Sequence, residues 1–498
     1  MIKQQWENIL NNHAVRQSLS QTRQEIKDAE NRQLLQTMVK DKEDVLIRLL
    51  TSEDTKTRKN AALLMGDLGN QQFLEPLWNA YKAETQRFVK SSYLAGIGEL
   101  DYRAYQEEIK VRLQELKKET PTPENEKHIR EEIRELSALV VRIEGVQLRT
   151  FTGWNKPCEV LLLTNRNFTE QVKKELLEVV PTAKTKTVGV GLMALVENLN
   201  WVRKIRTYQE LLFLIPEMKS CAMDEKAIAK TITESKLLDF LSTTHEGNAP
   251  YYFRLEMKAR KSLGEKSSFL KKLAANIERH SNWKLVNSTD NYEFEIRLIE
   301  NKQNGCNIMV KLFTLKDKRF TYREEVMPTS IRPVNAALTV SLAKEFLKED
   351  AQVLDSFCGV GTMLIERHKA VRANTMYALD IQEEAIRKAS RNTEIAKQII
   401  HYINRDFFRF THEYLFDEII TNMPFKTGRS TEEGIAKIYQ QFFEKAPHHL
   451  KKGAIIILYS HDKEIVENLI LESDFEMLRS HEISKREGTY VLILRYLT

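Results

Sequence analysis

The chain of 498 residues has four cysteines, Cys158, Cys221, Cys306 and Cys358, too far apart in sequence for a CxxC pair or a zinc-ligand spacing. Reduced thiols in packed positions are expected, and no metal site. Long hydrophobic runs are missing as well: nothing approaches the roughly 18 apolar residues of a membrane span. The first residues, Met1-Ile2-Lys3-Gln4-Gln5-Trp6-Glu7, carry no apolar signal segment. A cytoplasmic chain without membrane contact is therefore expected. Charge of one sign is scarce, with 76 Lys and Arg against 70 Asp and Glu, so the formal +6 permits nucleic acid as a partner but does not require it. H-E-x-x-H, G-x-S-x-G and the P-loop pattern G-x-x-x-x-G-K-[ST] are all missing, which removes zinc peptidase, serine hydrolase and Walker-type chemistry. The pair His448-His449 precedes Lys451-Lys452-Gly453 at an expected helix end, where cations suit the dipole and glycine stops the helix, so a structural role is assigned to it.

What is present reads as a soluble, globular chain of about two to four domains. Residues 1–148 are helical throughout. Asn60-Ala61-Ala62-Leu63-Leu64-Met65-Gly66 is echoed by Lys90-Ser91-Ser92-Tyr93-Leu94-Ala95-Gly96, a spacing of about thirty residues that marks a helical repeat. The small residues should pack on a neighbouring helix while Leu63, Leu64, Tyr93 and Leu94 fill the core, and the segment resembles a short HEAT-type array. A charged helical hairpin follows around Thr120-Pro121-Thr122-Pro123-Glu124-Asn125. A surface for a protein partner and a structural cap are both open for this region.

Near Phe151 the pattern changes to strands and helices of two α+β units, 149–245 and 246–326. In the first, Glu159 to Thr164, Thr187 to Val196 and Leu211 to Ile215 are strand candidates, and a helix is expected from Met223 to Leu241. In the second, Tyr252 to Met257, Phe294 to Leu298 and Ile308 to Leu312 are strands, and Ser267 to His280 is a helix. Arg254, Lys258, Arg260, Lys261, Lys271 and Lys272 gather at the first strand's exit and on the helix after it. They form either a solvated face or a contact for RNA phosphates. Residues 327–498 alternate strand and helix, which implies a doubly wound, mainly parallel Rossmann-like α/β sheet whose last two strands pair antiparallel.

The corner of that sheet is Val353-Leu354-Asp355-Ser356-Phe357-Cys358-Gly359-Val360-Gly361-Thr362, a strand, a turn with two glycines and a helix start. Glycine lets a backbone approach a ligand, and a helix start offers free N–H groups. A dinucleotide fingerprint needs a third small residue where Leu364 stands, so NAD is disfavoured. Asp380, at the end of the second strand and followed by Ile381, can accept two ribose hydroxyls. Asp406, at the end of the third with Phe407 beside it, can accept from an adenine amino group. An isolated acid at a strand end is usually a cap or turn residue; three in register with consecutive strands are harder to explain so. Asn422-Met423-Pro424-Phe425 ends the fourth strand. An Asn side-chain oxygen and a backbone carbonyl can accept the two N–H groups of an exocyclic amine, and an aromatic ring can stack on the base that carries it.

Together these motifs resemble class I S-adenosylmethionine-dependent methyltransferases. Asp355-x-Phe357-Cys358-Gly359-x-Gly361-Thr362 is similar to their motif I, and Asn422 to Phe425 to the (Asp/Asn)-Pro-Pro-(Tyr/Phe) motif of those that act on amino groups of bases. Met327-Pro328-Thr329-Ser330-Ile331-Arg332-Pro333-Val334-Asn335-Ala336-Ala337 resembles the lead-in of THUMP-containing RNA methyltransferases, and Trp201 to Thr207 their Leu-x-x-Arg-Thr segment. Met423 and Lys426 depart from the pattern, which has proline and glycine there. The resemblance implies S-adenosylmethionine held by Asp355, Phe357, Cys358, Gly359, Gly361, Thr362, Asp380, Ile381, Asp406 and Phe407, with catalysis by Asn422, Met423, Pro424 and Phe425. It implies a multidomain chain: an all-α HEAT-like region at 1–148, an α+β ferredoxin-like domain at 149–245, a THUMP-like domain at 246–326 and the methyltransferase domain at 327–498. The expected substrate is guanine N2 in tRNA, with rRNA guanine or adenine N6 as alternatives, and a cofactor- and RNA-binding scaffold without turnover as the other class.

Overall fold

Apolar positions three and four apart recur along the first 144 residues, and the structure, a computed structural model, has nine α-helices there among the described residues. It describes residues 2–498 apart from 120, 121, 123, 145–147, 190, 219, 429 and 472. The hairpin turn expected at Thr120 to Asn125 thus lies partly outside the described residues. The chain divides into two units, Met1–Gln147 and Leu148–Thr498.

In the first unit the helices Thr55–Leu68 and Arg87–Ile97 touch backbone to backbone. A Cβ on Gly66 would stand 2.6 Å from Gly96 Cα, and one on Gly96 would stand 2.4 Å from the Ala62 carbonyl oxygen. The echoed glycines are therefore the contact itself. Leu64, Tyr93 and Leu94 are buried beside it, whereas Leu63 is half-buried on the helix flank. Asp54 starts the first of these helices by accepting from the Lys56 and Thr57 N–H groups.

The second unit holds two sheets. In the first, β1 (Cys158–Leu163), β2 (Lys184–Val188), β3 (Gly191–Val196), β4 (Glu210–Leu214), β5 (Cys221–Ala222), β6 (Tyr251–Lys258), β7 (Leu285–Asn287), β8 (Phe294–Glu300) and β9 (Gly305–Leu312) run in the order β2-β3-β1-β4-β9-β8-β6-β7, with β5 on β9. The strand expected from Thr187 to Val196 is the β2–β3 hairpin, and the helix expected from Met223 to Leu241 is two, Glu225–Glu234 and Leu237–Thr244. β4 joins β9 at Phe213 and Val310, and one apolar core runs from Phe151 to Leu312. The helix Glu225–Glu234 packs on the helix Leu263–His280. The division expected at residue 245 is consequently not a packing boundary.

The second sheet, β10 (Ala351–Asp355), β11 (Ala373–Asp380), β12 (His401–Asn404), β13 (Phe416–Asn422), β14 (Leu450–Ser460), β15 (Phe475–Ser484) and β16 (Thr489–Tyr496), has the order β12-β11-β10-β13-β14-β16-β15. β10 to β14 are parallel, and β16 is antiparallel to both β14 and β15. Helices cover both faces, so the central strands are apolar almost throughout. Gly453, read above as a helix stop, instead lies within β14 with φ 77°.

Because Gly96 meets a carbonyl of the facing helix rather than a yielding side chain, Gly96→Ala must part the two helices. The expected loss is about 1–3 kcal/mol, read as a lower urea midpoint for unfolding of the first unit.

Candidate active site

Residues that turn the chain at the carboxyl ends of β10 to β13 form one cavity of about 370 Å³. Ser356, Phe357, Cys358, Gly359 and Thr362 come from the β10 corner, and Asp380, Ile381 and Gln382 from the end of β11. Arg405, Asp406, Phe407 and Phe408 follow β12, and Asn422, Met423, Pro424 and Phe425 end β13. Thr329, Ser330 and Ile331 of the lead-in segment complete the wall. Carboxyl ends of parallel strands are where an open α/β sheet leaves its ligand crevice.

Two residues assigned to the cofactor are not in that wall. Gly361 has φ 80°, and a Cβ there would lie 2.3 Å from the hydroxyl of Tyr402, which reaches over from β12, so the position requires glycine. Asp355 is wholly buried beneath the cavity. One carboxylate oxygen accepts from the Thr421 hydroxyl (2.6 Å) and the Phe357 N–H (3.1 Å), and the other has no hydrogen-bond partner among the described residues. Burial, reinforced by the charge of Asp380, pushes its carboxyl up to about 7.

Asp380 accepts from the Gly359 N–H (2.9 Å) with one oxygen and from the Gln382 N–H (2.9 Å) with the other. Asp406 caps the short helix Phe407–Arg409 by accepting from the Phe408 N–H (3.0 Å). Both acids therefore do what strand-end acids usually do and also line the cavity, where their spare lone pairs are available. Ile381 is 71% exposed beside Asp380. Phe407 is buried edge-on to Phe357, with ring centroids 6.0 Å apart. The Cys358 thiol, buried near Asp355 and Asp380, is pushed well up.

Asn422 pairs in register with Tyr459 on β14, and the Met423 N–H donates to the Tyr459 carbonyl (2.9 Å). The Met423 side chain is fully buried in the core. Neither the Asn422 side chain nor the Met423 carbonyl has a hydrogen-bond partner among the described residues. Phe425 stacks on His461, centroids 4.4 Å apart and planes at 28°. Lys426, in place of the expected glycine, points to an exposed ion pair with Glu432 (2.6 Å). Sequence reasoning missed His461, although Ser460-His461-Asp462 ends the strand beside β13. It also missed Arg405 and Thr427.

Of the basic residues, Arg254 is not free. It pairs with Glu295 (2.6 Å), and its guanidinium lies 4.3 Å from the centre of the Tyr292 ring. Lys258, Arg260, Lys261, Lys271 and Lys272 are exposed and have no ion pair among the described residues. None of them lines the cavity. Among the described residues no group of three or more His, Cys, Asp or Glu is placed to hold a metal, and no helix is long and apolar enough to cross a membrane.

Residues 321–487 match the family model UPF0020, described as "RMKL-like, methyltransferase domain". This stretch is a methyltransferase domain and its cofactor is S-adenosylmethionine. YbxB of Bacillus subtilis, an uncharacterized protein, is 23% identical over 186 residues, which are 36% of this chain and 88% of YbxB. TrmN from Thermus thermophilus superposes with a TM-score of 0.52 at 16% identity, covering 68% of this chain and 99% of its own. SMU.472, complexed with SAH, superposes with 0.54 at 12% identity, covering 69% and 99%. The two structures establish the fold. The cavity suits the cofactor: it offers carboxylates at two successive strand ends, apolar Ile381 and Phe407 near them, and the half-buried Gly359 turn.

The raised carboxyl of Asp355 sets a pH dependence. Between its ordinary value of 3.8 and about 7 the folded chain keeps a proton that the unfolded chain has released. Its contribution is thus fullest below about pH 4 and is lost as pH rises through about 7. Asp355→Asn keeps the acceptor for Thr421 and removes the buried charge. It should raise the thermal midpoint by several degrees at pH 8 and leave it unchanged near pH 4.

Proposed function

We propose that the chain is an RNA methyltransferase acting on an exocyclic amino group of a base, guanine N2 in tRNA before adenine N6 or an rRNA guanine. The observation that carries this is the Asn422 side chain and the Met423 carbonyl, both without hydrogen-bond partners among the described residues, on the cavity that also holds Asp380 and Asp406. Asp380 would accept the ribose hydroxyls of the cofactor and Asp406 its adenine amino group, with Ile381 and Phe407 against the adenine. S-adenosylmethionine supplies an electrophilic methyl group on a sulfonium.

The lone pair of such an amine is delocalised into its ring. Asn422 Oδ1 and the Met423 carbonyl accept its two N–H groups and so turn the nitrogen towards the methyl group, while Phe425 stacks on the extruded base. With the methyl group transferred and the cofactor left as its thioether, the surplus proton on nitrogen would pass to water. No strong general base is required.

On this reading the sheet β1–β9 with its helices comprises ferredoxin-like and THUMP-like parts, and Lys258, Arg260, Lys261, Lys271 and Lys272 contact RNA phosphates. Charge supports that placement: the first 147 residues hold 23 Lys and Arg against 24 Asp and Glu, so the cationic surplus lies in the second unit. The HEAT-like first unit is then a surface for a protein partner.

Purified protein with labelled cofactor and RNA lacking modifications should transfer methyl groups, and nucleoside digestion should yield N2-methylguanosine; N6-methyladenosine would establish the second reading. Asn422→Ala should lower transfer by roughly a hundredfold or more without weakening cofactor binding. Asp380→Ala should weaken cofactor binding itself. Cofactor binding without transfer to any RNA pool would mean a scaffold.

A further inference from the structure

We infer that His461 is a positioning residue for the acceptor base, holding the Phe425 ring from behind so that its other face stays presented to the cavity. The inference rests on the methyltransferase reading above and concerns a residue that reading does not use.

The acceptor segment leaves β13 at Asn422 and soon becomes exposed: Lys426, Thr427 and Gly428 lie at the surface, and a Cβ on Gly428 would meet nothing within 4 Å. A ring on such a segment needs outside support to keep one orientation. β14 supplies it at two successive points. The Tyr459 carbonyl accepts the Met423 N–H at 2.9 Å, and two residues on the His461 ring stacks on Phe425. His461 is the one ring stacked on Phe425 among the described residues. Phe425 lines the cavity and His461 does not, so the histidine covers the outer face and leaves the inner face open.

His461 is itself held. Its Nδ1 lies 3.2 Å from the Glu487 carbonyl oxygen, a contact that requires the proton on that nitrogen and fixes the plane of the ring. Tyr459 is fixed in turn: its hydroxyl accepts from Asn335 Nδ2 (3.2 Å), and Asn335 Oδ1 accepts from Gln209 Nε2 (3.3 Å) at the start of β4. The support for Phe425 therefore runs through β14 to the first sheet. A stacking platform is useful to a flipped base only if its plane is set before the base arrives, because each misplacement reduces the population of reactive geometry.

The test has two readouts. With para-fluorophenylalanine at position 425, the fluorine NMR spectrum of the full chain should show one narrow line. His461→Ala should shift and broaden it, and His461→Phe should restore it. In methyl transfer at saturating cofactor, His461→Ala should lower kcat/KM for RNA by roughly tenfold to a hundredfold with cofactor affinity unchanged, and His461→Phe should recover most of the loss. An unchanged fluorine line in His461→Ala overturns the inference, as does a kcat/KM that stays level or rises, the result expected if His461 filled the place of the base. If the line depends on His461 but the wild-type protein methylates no RNA, the substrate reading fails and the positioning stands.

Discussion

The carboxylate of Asp380 accepting the N–H of Gly359 is the interaction on which the site depends. Beside the bond that the Cys358 N–H donates to the Leu379 carbonyl (2.8 Å), it ties the glycine turn after β10 to the end of β11. A charged acceptor makes this bond stronger than a neutral one. The same carboxylate is a wall of the cavity, so the turn and the acid cannot move independently. Gly359, with φ 51°, occupies a backbone region that a side chain would strain, and the tether selects that conformation from those open to glycine. Gly361 contributes differently, as the gap into which the Tyr402 hydroxyl fits.

How much of this is legible in the chain depends on how far apart the interacting residues lie. Strands buried on both faces read as apolar runs, and each run ending in Asp or Asn identifies a strand end, which is why Asp380, Asp406 and Asn422 fall on one cavity. What depends on neighbours distant in sequence is hidden. Asp355 has the same local pattern as Asp380, yet Thr421, across β13, takes its carboxylate inward. Arg254 looks like a free cation until Glu295, forty-one residues on, is placed beside it. The single core through β1 to β9 follows from β4 meeting β9, a pairing that no local period announces. The helical echo in the first unit is readable because its two glycines each follow a pair of small residues and a pair of large ones, while the half-burial of Leu63 depends on how the helices pack.

The helix Thr362–Ala370 after the glycine turn carries Glu366 and Arg367, neighbours in sequence with opposite charges and opposite partners. Arg206, from the segment before β4, grips Glu366 with two hydrogen bonds at 2.6 and 2.7 Å, and the Tyr322 hydroxyl adds a third at 2.6 Å. Arg367, fully buried, grips both oxygens of Glu418 on β13, and two further N–H groups donate to the Lys348 and Val371 carbonyls. Removing one partner of a pair this deeply buried strands the other charge, at a cost of about 3–5 kcal/mol. Replacing both partners by apolar groups would cost far less, so these pairs specify an arrangement more than they add to net stability.

That arrangement fixes two relations. Glu418 lies on the strand that ends in Asn422, so Arg367 sets the glycine corner relative to the Asn422–Phe425 segment. Arg206 lies just before β4 of the first sheet, so Glu366 sets the same corner relative to that sheet. A transferase whose reacting atoms must meet within a few tenths of an ångström gains from having both distances determined by one rigid helix. The Tyr459–Asn335–Gln209 path reaches the first sheet independently and ends at Phe425. The glycine corner after β10 and the Phe425 ring are thus each referenced to the same sheet, by an ion pair on one side and by a neutral amide chain on the other.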